Sequence, residues 1–103
     1  MQVAQIVAEL DAEWSLETGF LGHLRGGQFV EAELARLLST LGKLQFAELG
    51  EDVPIRAVSL LWYIPLFMGW QTDWIVENGT YPAIYGRAVD RVTNEIERIL
   101  GLP

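Results

Sequence analysis

The chain has 103 residues, half of them hydrophobic and 11% aromatic, with a formal net charge of −7. That is enough apolar material for one packed domain and too much for a disordered one, while seven dispersed Lys and Arg against fourteen Asp and Glu argue against a nucleic-acid partner. With no cysteine, disulfides, thiolate metal sites and cysteine nucleophiles are excluded.

Val3, Ile6, Val7, Leu10 and Trp14 recur at three- and four-residue steps among Glu9, Asp11 and Glu13, which predicts a first amphipathic helix ending near Thr18-Gly19. Phe20 to Gln28 crowds Gly22, Gly26 and Gly27 around Phe20, Leu21 and Leu24, and reads as a tight connection. Val30, Leu34, Leu37, Leu38, Leu41 and Leu44 predict a second helix closing near Gly50. Asp52 as a cap and Pro54 in the first turn open a third helix reaching Asn78-Gly79. Thr80 and Pro82 repeat that start for a fourth, lined by Ile84, Ala88, Val92, Ile96 and Ile99 as far as Gly101. Strand alternation and internal repeats are absent. The expected fold is all-α, a four-helix bundle-like single domain over residues 1–103 with a central, Pro-kinked, Trp-rich third helix.

Residues 57–70, AVSLLWYIPLFMGW, are apolar on every side and call for cover all round, which a lone bundle does not give. Self-association as a dimer or tetramer is therefore expected. Pro65 removes a backbone hydrogen bond and clashes with the Leu61 carbonyl, predicting a kink or a break near Leu61–Ile64. Trp62, Tyr63, Phe67, Trp70, Trp74 and Tyr85 then line either an interface or a pocket for a small apolar or cationic ligand, with ordinary core packing as the plainer account.

Glu9, Glu13 and Glu17 stand one helical turn apart, and with Glu31 and Glu33 they form the acidic surface expected to dock a basic protein. Residues 1–52 hold nine acids and three bases against five and four in residues 53–103, so such a partner is steered to the first half. Arg87, Arg91 and Arg98 on the last helix lie close together, so the first and last helices could pair through the two rows, within or between subunits, with two uncoupled solvated faces as the equal alternative. His23 and Arg25, in LGHLRGG, form a candidate anion or proton site, and Asp73 with Glu77 a pair able to share a proton or hold a hard cation. Neither set completes a site, and HExxH, P-loop, GxGxxG and GxSxG patterns are all missing. No cofactor, metal or enzyme class is expected, and no catalytic residue is assigned.

The first ten residues lack a basic start and an unbroken apolar run, and the uncharged stretch from Ala57 to Thr72 is shorter than the roughly 20 residues of a membrane span. A cytoplasmic protein without a membrane partner is expected. Ten glycines, four tryptophans and a single lysine are unlike a designed helical chain. The resulting reading is a small acidic homo-oligomeric interaction protein, either a bacterial mobile-gene-cassette protein or an immunity- or antitoxin-like accessory protein, that docks a basic partner. The alternative is a small-molecule binder using the aromatics beside Pro65.

Overall fold

The computed structural model describes residues 3–45 and 53–101, and all regular structure among them is helical. Six helices follow one another: α1 (Val3–Ala12), α2 (Phe20–Arg25), α3 (Glu31–Gly42), α4 (Ile55–Trp70), α5 (Thr72–Glu77) and α6 (Pro82–Leu100). The sequence pattern suggests four, and each difference has a local cause.

α1 stops six residues short of the expected end because the Glu13 carbonyl turns away from its own helix. It accepts instead from the amides of Leu21 (2.8 Å) and Gly22 (3.0 Å), while the Glu13 carboxylate accepts from the Phe20 amide (3.0 Å). One residue thus satisfies three of the orphan donors at the start of α2. That makes the expected tight connection a helix, with Phe20, Leu21 and Leu24 fully buried. Gly22 lies inside this helix and makes no turn. A Cβ there would stand 1.9 Å from the Ser15 carbonyl oxygen, so only glycine lets α2 lie against the preceding loop. The turn falls to Gly27, whose φ of 82° suits glycine.

The expected third helix is two helices meeting at Gln71, beyond Pro65, which lies inside a continuous α4, so the chain does not break at Leu61–Ile64. At this junction the Gln71 amide bonds the carbonyls of Phe67 and Met68, both at 3.2 Å, and the Thr72 hydroxyl donates to the Gly69 carbonyl at 2.8 Å. The Tyr85 hydroxyl, from α6, donates to the Met68 carbonyl at 2.7 Å. The last carbonyls of α4 are therefore satisfied without a further turn. Pro54 precedes α4 rather than entering its first turn, and its carbonyl accepts from Ala57. The expected Asp52 cap and the closure near Gly50 lie outside the described residues.

α4 packs against α1, α2, α5 and α6, while α6 also covers α3 and α5. One core results, with Leu61, Ile64 and Met68 of α4 and Tyr85 and Val92 of α6 fully buried. Within the chain, among the described residues, the arginines of α6 do not meet the glutamates of α1. Arg98 caps the end of α3 instead, donating to the carbonyls of Leu41 (3.0 Å) and Leu44 (3.2 Å) as well as to Glu95, and α1 rests on α3 and α4. No helix among the described residues is long and apolar enough to cross a membrane.

Candidate functional site

Along α4, the side chains at Ile55, Val58, Trp62 and Tyr63 and, one turn beyond Leu66, Trp70 fall on one side of the helix by their spacing, with Ser59 between them. This side is the outward one. Trp62 is 59% exposed, Tyr63 40%, Trp70 64% and Ile55 84%, and Trp74 of α5 adds a further half-exposed indole. Phe67 and Tyr85, assigned to the same group from the sequence, belong elsewhere. Phe67 is 5% exposed and Tyr85 is fully buried, because the inner side of α4 turns Phe67 toward the core and the Tyr85 hydroxyl is held by the Met68 carbonyl. Burial also pushes the Tyr85 phenol well above the usual tyrosine range.

The outward aromatics are joined at one edge by two residues that the sequence does not associate with them. Trp14, just past α1, meets Phe67 edge-on with ring centres 4.8 Å apart and Tyr63 at 5.7 Å. Arg25, at the end of α2, places its guanidinium 5.5 Å above the Trp14 ring and 5.3 Å above Phe67, a cation–π arrangement. The Trp74 indole N–H donates to the Arg25 carbonyl (3.2 Å), tying α5 to the same corner. Between α1 and α4 a cleft of about 510 Å³ opens, walled by Trp14, Tyr63, Trp62 and Arg25 and bounded by an ion pair of Arg56 with Asp11 at 2.6 Å. Periodicity alone marks Trp14 as the end of an apolar stripe. Its partners stand at least eleven residues away, so only the fold brings them together.

His23 does not share a site with Arg25. Its Nδ1 stands 2.8 Å from the Glu33 carboxylate and its Nε2 2.9 Å from the Glu17 carbonyl, while Arg25 turns toward Trp14. Two acceptors facing the two ring nitrogens favour the doubly protonated imidazolium, and the Glu33 hydrogen bond, followed by that to Glu17, raises the histidine pKa. A ring engaged on both sides holds the α1–α2 loop to α3 and has no nitrogen left for a substrate proton.

The acidic surface is also redistributed. Glu13 is a correction to the expected partner face. It is 3% exposed, and Arg36 of α3 binds its carboxylate through Nε (3.0 Å) and a terminal nitrogen (2.6 Å), a bidentate pair that compensates its burial. Glu33 is engaged by His23, and Glu9 stands 3.6 Å from the Lys43 ammonium. Glu17 and Glu31 are the members of the set whose exposed carboxylates have no side-chain partner among the described residues. Asp73 and Glu77 are both exposed on α5, and among the described residues no three His, Asp or Glu side chains converge on one point.

No protein-family model matches the chain, and neither a curated protein nor a solved structure matches it. The functional reading therefore rests on the geometry.

Proposed function

We propose that this chain is a self-associating interaction protein that holds a second copy of itself across the outward face of α4 and α5. The observation that carries this reading is the run of exposed apolar side chains on one helix face, Ile55, Val58, Trp62, Tyr63 and Trp70, extended by Trp74. Singly exposed apolar residues are ordinary, but a contiguous aromatic face marks a contact surface, and tryptophan and tyrosine are the side chains most often found at the centre of one. A two-fold pairing sets the same stripe against itself, so that no second patch is required. Pro65 belongs to this reading. Lacking an N–H, it leaves the Leu61 carbonyl without its helical partner, and the bend this permits shapes the face that the second copy covers.

Light scattering across a concentration series tests the pairing. The expected result is a dimer mass or larger at micromolar concentration, falling to the monomer in Val58→Asp, which repeats a buried charge on both sides of a two-fold contact. Pro65→Ala is expected to remain folded and to pair more weakly. A parent chain that stays monomeric and soluble at high concentration would show that the face meets no second copy.

Docking of a basic protein is a second reading, supported by the net charge of −7. It rests on Glu17 and Glu31, since Glu13 and Glu33 are committed to Arg36 and His23. Charge reversal at Glu17 and Glu31 together would abolish such binding and leave the self-association mass unchanged.

A further inference from the structure

We infer that the cleft between α1 and α4 is a binding site for a small, flat aromatic anion, an aromatic carboxylate being the simplest member of the class. The walls suit a flat ring. Trp14, Tyr63 and Trp62 line the cleft, Trp62 is 59% exposed, and stacking on such rings favours planar ligands over branched ones.

The sign of the ligand's charge follows from which ring faces are already occupied. Aromatic walls by themselves attract cations, but the cation position above Trp14 and Phe67 is filled by the Arg25 guanidinium. Its N–H groups have no side-chain or backbone acceptor among the described residues, and no carboxylate pairs with it there. Arg56 lines the same cleft, and of these two arginines it alone is matched, by Asp11. Two arginines and one aspartate leave a local charge of about +1, on a chain whose formal charge is −7. A second cation would meet an unneutralised guanidinium. A carboxylate would receive its planar fork of donors while the attached ring lies on the indoles.

The site shares Trp62 and Tyr63 with the self-association face proposed above, whereas Trp14, Arg25 and Arg56 belong to the cleft alone. Binding is therefore measured by calorimetry on the full chain and on Val58→Asp, whose changed residue does not line the cleft, so that loss of pairing is not mistaken for loss of the site. Three probes share one ring system: naphthoate, naphthylmethanol and naphthylmethylammonium. Naphthoate is expected to bind at least about tenfold more tightly than the cation and more tightly than the alcohol, with the preference shrinking as salt is raised.

Arg25→Gln should erase that preference. Arg56→Gln supplies a second reading, because a side chain paired only at the surface can be removed without unfolding the chain, and it should weaken naphthoate several-fold. Equal affinity for the three probes, tighter binding of the cation, or an anion preference that survives in folded Arg25→Gln would each overturn the inference.

Discussion

At the corner of α1, α2 and α3 the protein encloses a carboxylate, whereas along α4 it leaves large aromatic rings in water. Glu13 is 3% exposed and Trp70 64%, the reverse of what hydropathy assigns to either residue. The difference lies in what each region has been given as a partner. Around Glu13 every group is matched, with two Arg36 nitrogens and the Phe20 amide on the carboxylate and two further amides on its carbonyl. Trp62 and Trp70 each stay more than half exposed, although Trp70 meets the Tyr63 ring at 5.7 Å. A buried charge surrounded by donors is a finished structure, and an uncovered aromatic face is what the proposed self-association would cover.

The contrast is broken most severely on α4 itself, by comparing Phe67→Asp with Trp70→Asp. The first buries an unpaired carboxylate beside the core and is expected to remove about 4–5 kcal/mol, a large share of a total that for such domains is of the order of 5–15 kcal/mol. The second places its charge in water and should change the urea midpoint little while lowering the associated mass. Equal destabilisation by both would mean that Trp70 contributes to the fold of the single chain.

Glu13→Ala comes next. It strips the Phe20 amide of its acceptor and leaves Arg36 unpaired, but Arg36 is half exposed and can turn to water, so about 2–3 kcal/mol should be lost. Urea unfolding measures this, and a loss below about 1 kcal/mol would place the support of α2 in its apolar contacts instead.

His23 provides the smallest effect and a pH signature. Its folded pKa is raised by Glu33 and Glu17, so its stabilisation is full below the ordinary histidine value of about 6.5 and is lost as pH rises through the higher folded value. His23→Gln should flatten that fall in stability above about pH 6.5. A slope unchanged by the substitution would assign the pH dependence to other groups.

The parts of this fold that were legible in the sequence are those whose helices carry their own signals. α6 shows its apolar stripe, its Pro82 start and a Gly101 stop at φ 83°, and α3 shows its leucines at helical spacing. α2 was not legible because six residues centred on a glycine have no period to read, and because the group that caps them, Glu13, stands seven residues earlier. The exposed aromatics were legible as a group. Their division into outward Trp62, Tyr63 and Trp70 and inward Phe67 required knowing which side of α4 meets α1 and α6. Trp14 and Arg25 were not legible as neighbours, since the α1–α2 loop and the capped α2 are what bring the guanidinium over the indole.

The hydrogen bond from Tyr85 to the end of α4 also makes one ring a built-in reporter of the intact fold. Of the three tyrosines, Tyr63 and Tyr81 face water, while Tyr85 keeps its proton inside the protein. In alkali the absorbance step of Tyr85 waits until α4 and α6 separate. Because the unfolded chain loses that proton near the ordinary value of about 10, base draws the equilibrium toward the open state, and the ultraviolet spectrum of phenolate records when the two helices part.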